Sequence, residues 1–217
     1  MGDKWKETDY AKSFEKYRSQ TTETTAALVQ AVLRYVPSSL GARVIDIGCG
    51  TGLLLSKVNA KKRVGVDVSS RLLGQLKNNS LQLVRTDAEN LPFKEGSFDL
   101  VYSVNLLEHV PHPDTVVSEG IGALKRGGKL LLITPNGDMS LFLEIADKLK
   151  MKAPEGPHRF LTSNGIKSII PKAKVKVVER RKLVLFPKGP RFILDTLEGL
   201  EPIIALGFFH LIVLEKI

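Results

Sequence analysis

The residues of this chain with the types and spacing to do chemistry fall into two groups. The first is a set of acids and glycines: Asp46 followed by Gly48, Gly50 and Gly52, then Asp67 and Asp87. The second is Glu108-His109, with His112 close behind and His158 farther along. Glycines at alternate positions let the backbone turn sharply and let a ligand approach with no Cβ in the way. Asp46, two residues ahead of the first glycine, would repel a diphosphate and suit a cationic ammonium group. Asp67 comes about 20 residues later, where a carboxylate accepts both hydroxyls of a ribose, and Val68 is its neighbour. In the second group an imidazole, which titrates near neutral pH, stands next to a carboxylate, so His109 and Glu108 are the candidate acid–base pair.

These residues need elements to hold them. Val44 to Ile47 is a short apolar run suited to a strand buried on both faces, and Leu53, Leu54 and Leu55 after the glycines are expected to start a helix. Strand, glycine turn and helix start form the ligand-binding unit of doubly wound α/β folds. A second unit reads Arg63 to Val68 as strand, Ser69-Ser70 as helix start, and Leu72, Leu73 and Leu76 as its buried face. A third runs Leu81 to Arg85 and then Thr86-Asp87-Ala88-Glu89-Asn90-Leu91-Pro92-Phe93. A fourth strand, Ser97 to Val104, leads into Asn105-Leu106-Leu107-Glu108-His109. Asp114 is expected to cap a helix through Leu124 that Gly127-Gly128 terminate, and Lys129 to Thr134 is a fifth strand.

Flanking these, Thr21 to Val36 reads as an amphipathic helix ended by Pro37, and Tyr10, Phe14 and Tyr17 have the spacing of one helix face. Beyond Asn136 the expectations are a helix over Leu141 to Leu149, a loop over Met151 to Pro157, and a helix from Thr162 to Ile170. Val175 to Leu185 and Phe208 to Leu214 read as the last two strands, an antiparallel edge hairpin. A helix over Phe192 to Ala205 lies between them, covering either the core or a substrate mouth.

The string Asp46-Ile47-Gly48-Cys49-Gly50-Thr51-Gly52 resembles the first motif of class I S-adenosylmethionine-dependent methyltransferases. The phrase Leu124-Lys125-Arg126-Gly127-Gly128-Lys129 through Asn136 resembles the same family. The resemblance is close over residues 42–136 and looser elsewhere. It implies a Rossmann-like, seven-stranded, mostly parallel α/β sheet with an antiparallel C-terminal edge hairpin, in a single domain spanning 1–217. Residues 1–36 would be N-terminal helices or a lid carrying the tyrosines, 42–136 the cofactor core, and 137–207 substrate-side insertions. It implies S-adenosylmethionine as cofactor. Asp87 would accept from the adenine amino group, Ala88 would offer its N–H to the ring, and Cys49, Val68 and Asn105 would line the same pocket. Leu106-Leu107-Glu108-His109-Val110 resembles the ubiquinone-biosynthesis O-methyltransferases, which points to O-methylation of a small molecule. Some relatives hold a divalent ion with E-x-x-E-H and a later histidine. Here Asn105 replaces the first Glu, with His158 near the later position, and losing a carboxylate disfavours a hard cation. No metal ligand is therefore assigned.

Composition bounds the alternatives. With 43% hydrophobic and 25% charged residues, the chain has the balance of a soluble globular protein. Its single cysteine rules out an internal disulfide framework, and Cys49 reads as a small turn residue rather than a nucleophile. No apolar stretch reaches ~18 residues and no apolar h-region follows Met1-Gly2-Asp3-Lys4-Trp5, so neither a membrane span nor a signal peptide is expected, and a cytoplasmic location follows. An NAD-type oxidoreductase is disfavoured because G-x-G-x-G is not G-x-G-x-x-G. A non-catalytic cofactor-binding module and an RNA-modifying methyltransferase remain as rivals, the latter encouraged by a net charge of +9. That charge is dispersed, and Lys174-Val175-Lys176-Val177 alternates as a strand with one wet face does. Binding to RNA or DNA should therefore be weaker than micromolar and collapse as salt rises. Sequence-selective binding that survives physiological salt in a filter assay would reverse that assignment.

Overall fold

The computed structural model describes residues 22–39, 41–75, 80–140, 159–183 and 207–217. Seven strands, β1 (Arg43–Ile47), β2 (Lys62–Asp67), β3 (Gln82–Arg85), β4 (Phe98–Val104), β5 (Leu124–Pro135), β6 (Val175–Leu183) and β7 (Phe209–Lys216), form one sheet in the order β3-β2-β1-β4-β5-β7-β6. The first five pair in parallel, while β7 runs antiparallel to both β5 and β6. The antiparallel C-terminal pair expected from the sequence is present, with β7 wedged inside and β6 at the edge. The chain order reverses between β1 and β4. Loops leaving the carboxyl ends of these two strands turn to opposite sides and open the crevice in which such sheets bind ligands.

Side chains alternate between the faces along each strand. On one face Ile45, Ile47, Val64, Val66 and Val101 pack with Val116, Val117 and Ile121 of the helix α3 (Pro113–Ala123) and Ile166 of α4 (Ser163–Ile169). On the other, Val44, Leu100, Tyr102, Leu131 and Ile133 pack with Leu28 and Val32 of α1 (Thr22–Leu33). Burial on both faces is why the central strands read as unbroken apolar runs.

Local chemistry corrects several boundaries. After the glycine loop the expected helix is only a 3-10 turn, Leu55–Lys57, with Leu55 buried and Leu53 exposed. Few residues separate β1 from β2, and they must cross back over the sheet. A 3-10 or extended path advances ~2 Å or more per residue, against ~1.5 Å for an α-helix. The helix α2 (Ser70–Leu73) is likewise short, capped by the Ser69 hydroxyl accepting from Leu72 N–H. Asp114 does not cap α3. His112 is the residue at that position, Pro113 pre-sets the first turn, and Glu89 Oε1 accepts the His112 N–H at 2.9 Å. Gly127 and Gly128 do not end that helix either. It stops at Ala123, β5 begins at once, and the glycines form a bulge where the β4–β5 register shifts. Thr162 caps α4 as expected, its hydroxyl accepting from Gly165 N–H. Leu76, the N-terminal aromatics, the helix over Leu141 to Leu149, the loop over Met151 to Pro157, His158 and the Phe192 to Ala205 segment lie outside the described residues.

One glycine of β2 is set by packing. A Cβ at Gly65 would lie 2.7 Å from Cys49 Sγ and 2.9 Å from Leu83 Cδ2. The Cys49 side chain therefore fills the space that Gly65 leaves open beneath the loop. Gly65→Ala should cost ~1–3 kcal/mol of stability in denaturant unfolding. Adding Cys49→Ala should recover part of that loss, and a double variant no more stable than Gly65→Ala alone would show the collision lies elsewhere.

Candidate active site

The site is assembled from four loops at the carboxyl ends of β1, β2, β3 and β4. Gly48, Gly50 and Gly52 all have positive φ, at +76°, +54° and +74°. This backbone is what the alternating glycines were needed for. The Val66 carbonyl of β2 accepts from both Gly48 N–H (2.8 Å) and Cys49 N–H (2.9 Å), pinning the loop to its neighbour. Asp67 completes the clasp. Its Oδ2 accepts the Gly50 N–H at 2.8 Å and its Oδ1 the Ser69 N–H at 2.9 Å. One carboxylate thereby holds both the glycine loop and the turn that opens α2. Val68, next in the chain, is 55% exposed, an apolar platform at the crevice edge. Asp87 is exposed, with Oδ1 accepting the Glu89 N–H, and Ala88 packs half-buried against the core. Their loop is tied in by Thr86 N–H donating to the Asp67 carbonyl.

Asp46 is 3% exposed and points to the same face as Tyr102, its partner across the β1–β4 pair. Burial, assisted by the nearby Asp67 charge, pushes the Asp46 carboxyl up to about 8, and the Tyr102 hydroxyl beside it offsets part of that rise. Burial likewise drives the Cys49 thiol far above its ordinary value, with Asp46 and Asp67 adding to the effect, so it is not a thiolate nucleophile.

The β4 loop closes the other side. Asn105 is the one non-glycine residue with positive φ among the described residues. Its N–H donates to the Ile133 carbonyl, and its Oδ1 has no hydrogen-bond partner among them. Leu106 lies over Gly48 so closely that a Cβ there would come within 2.9 Å of it. Glu108 and His109 sit in a 3-10 turn, Leu107–His109. Glu108 is 2% exposed: its Oε2 accepts from Thr134 Oγ1 at 3.0 Å, and its carbonyl accepts the Arg159 N–H. His109 Nε2 is 3.9 Å from Glu108 Oε1. His112 is exposed and used through its backbone, so it does not join the pair. Among the described residues no group of three or more His, Cys, Asp or Glu side chains could hold a metal ion. Two residues escaped the sequence reading: Thr134, the anchor for Glu108, and fully buried Asn136, which donates from Nδ2 to the Gly207 carbonyl and accepts the Asp138 N–H. A polar pair ending the otherwise apolar run Leu130 to Ile133 was the available signal.

A testable consequence attaches to Asp46. With a folded value of about 8 against an ordinary 3.8, it stays protonated in the native state after ionising in the unfolded chain. The unfolded state then holds fewer protons, so stability contributed by this group is full below pH 3.8 and is lost as pH rises to about 8. Thermal melts of ligand-free protein from about pH 5 to pH 8 should show that slope and should lose it in Asp46→Asn. Equal slopes in the two proteins would mean Asp46 is already ionised at neutral pH.

The comparisons agree with this geometry. Residues 45–132 match the model of the methyltransferase domain family. The chain is 30% identical over 181 residues to a ubiquinone biosynthesis O-methyltransferase of Burkholderia vietnamiensis, covering 76% of this chain and 78% of that one. An S-adenosylmethionine-dependent methyltransferase structure from Thermotoga maritima superposes with a TM-score of 0.71 at 22% identity, covering 96% of this chain and 98% of that one. A chain from the complex of the Haloferax volcanii Trm112 methyltransferase activator with a methyltransferase superposes with a TM-score of 0.72 at 16% identity, covering 99% of each. The matched segment contains the glycine loop, both strand-end acids and the chain reversal between β1 and β4: the chain belongs to the class I S-adenosylmethionine-dependent methyltransferases.

Proposed function

We propose that this enzyme methylates an oxygen of a small-molecule acceptor. The observation that carries the reading is the placement of His109 on the loop after β4, beside the crevice and opposite the adenosine side, in a turn anchored by the Glu108–Thr134 hydrogen bond. The name carried by the relatives at 30% identity, ubiquinone biosynthesis O-methyltransferase, supports the same acceptor chemistry.

The described residues fit the cofactor. The positive-φ glycine loop gives close backbone approach, and exposed Val68 offers an apolar face beside the Asp67 carboxylate. In this reading Asp67 takes the ribose hydroxyls, Asp87 and Ala88 the adenine edge, and Asp46, protonated in the free protein and ionising beside the bound cation, the ammonium end. Gly48, Cys49, Gly50 and Gly52 line the cradle, with Asn105 at its far side. When bound, S-adenosylmethionine supplies a methyl group already activated on a sulfonium. The protein's work is alignment, exclusion of water and proton removal. His109 accepts the acceptor hydroxyl proton as the oxygen forms its new bond to carbon. Glu108, buried against Thr134, is a positioning residue that fixes the turn carrying His109. A bound ion is not needed for this, because Asn105 supplies no carboxylate and Glu108 already serves Thr134. The N-terminal segment 1–36 as a lid and 137–207 as the acceptor side complete the proposal. A nucleic-acid acceptor is the second reading, favoured by the +9 charge.

A screen of phenolic and other small hydroxyl acceptors with radiolabelled cofactor tests the reading directly; label transferred only to RNA would reject it. With an acceptor in hand, His109→Ala should lower kcat by ~10²–10⁴-fold with S-adenosylhomocysteine affinity unchanged, and chelators should do nothing. Glu108→Gln should shift the pH profile of kcat through His109 while leaving more activity. Full activity of His109→Ala across neutral pH would leave catalysis to proximity alone, and loss on chelation with recovery on metal add-back would assign the step to an ion.

A further inference from the structure

The far end of the sheet holds a feature that none of the cofactor and proton-transfer roles assigned above uses. A cleft of ≈ 540 Å³ opens between α4 and the edge pair β6–β7, lined by Ser163, Ile166, Lys167, Lys182, His210 and Ile212, with Arg180 and Arg181 completing the wall. The volume is in the range of small-molecule sites. Its floor is apolar, from Ile166 and Ile212, and its walls are cationic. Two carboxylates oppose the four cations. Asp138 accepts from the Ser163 N–H and hydroxyl and lies 3.7 Å from Lys182 Nζ, and Glu179 is paired with Arg181 Nε at 3.0 Å. Lys167 and Arg180 have no carboxylate partner among the described residues, and both are exposed at the cleft.

His210 is what makes this more than a basic patch. It is 4% exposed, lines the cleft, and its Nε2 has no hydrogen-bond partner among the described residues. Directly opposed residues of an antiparallel pair share a face, so His210 stands between Lys182 of β6 and Thr134 of β5. A buried polar nitrogen left without a partner costs stability unless a ligand or water satisfies it.

We infer that this cleft is a second ligand site, one that takes the phosphate group of a small molecule, with Lys167, Arg180 and Lys182 around its oxygens and His210 Nε2 beneath them. A phosphate offers more oxygens and more charge than a carboxylate and so matches three cations and an imidazole arriving from three elements, α4, β6 and β7. Burial, with Lys182 and Arg180 nearby, holds His210 below its ordinary value despite the opposing pull of Asp138, so the ring is neutral in the free protein at neutral pH. A neutral Nε2 accepts a hydrogen bond from the P–OH of a monoanionic phosphate, or takes up a proton from solvent when a fully ionised anion binds beside it. A cleft of this volume suits a small ester rather than a nucleic-acid strand, which would need a continued stripe of cations. Most of the lining belongs to the segment 137–207, and the inference does not depend on which small molecule the acceptor is.

Calorimetric titration of the full chain with inorganic phosphate and with glycerol 3-phosphate should give saturable one-to-one binding in the millimolar range or tighter. The His210 imidazole resonance should move in parallel with occupancy. The charge reversals Lys167→Glu and Arg180→Glu, at exposed positions, should together weaken binding at least ~10-fold while thermal stability and S-adenosylhomocysteine binding stay unchanged. Absence of saturation in the wild-type protein, equal binding by the double variant, or an unmoved His210 resonance would each overturn the site. A short single-stranded RNA binding more tightly than glycerol 3-phosphate, with affinity growing with length, would overturn the small-molecule assignment.

Discussion

The Asp67 carboxylate is the constraint on which the site depends. Through one oxygen it holds the glycine loop after β1, and through the other it holds the turn that opens α2. Hydrogen bonds to a carboxylate are worth roughly 1.5–3 kcal/mol each, enough to fix a loop whose glycines would otherwise sample many conformations. Asp67 ends β2 beside the loop after β1. In the function proposed above, the same side chain would both preorganise the cradle and take the ribose. Asp46, one strand over, is driven toward its neutral form by burial, with the Tyr102 hydroxyl offsetting part of that effect. Two acids that look equivalent in the sequence thus sit in different surroundings: backbone N–H groups bond to Asp67, while burial dominates at Asp46.

A second line of contacts runs away from the cradle. Glu108 reaches Thr134, Thr134 pairs with His210, and His210 pairs with Lys182 across β6. These residues share a level and a face of the sheet. The turn presenting His109 and the cationic cleft at the sheet edge are therefore joined by neighbouring side chains on rigid strands. Asn136 sits at the end of the same strand β5 and ties the returning segment at Gly207 and Phe208 to it. The reversed strand β7 is what makes this row possible, since it brings His210 beside Thr134.

Much of the architecture was legible in the sequence because its signals are local. An apolar run bounded by glycine is a buried strand in almost any context, and alternating glycines require a positive-φ loop wherever they occur. The strand-end positions of Asp46 and Asp67, the loop carrying Asp87 and Ala88, and the Thr162 cap follow from the same local rules. The helix after the glycine loop did not, because its length is set by the distance the chain must recross, which depends on the sheet. Gly127-Gly128 failed for a related reason: two glycines stop a helix or bulge a strand equally well, and only the β4–β5 register distinguishes them.

The sequence by itself determined the residue types at the strand ends and the glycine loop, since backbone conformation and binary pattern are encoded within a few residues, and the motif resemblance carried the cofactor class. The tertiary structure decided which polar groups meet. Burial sets the Asp46 carboxyl apart from Asp67. Packing of the β4 loop on β5 turns Glu108 inward to Thr134, and the antiparallel insertion of β7 sets His210 beneath a cluster of cations. Those outcomes depend on pairs distant in the chain, and no local pattern specifies a distant partner.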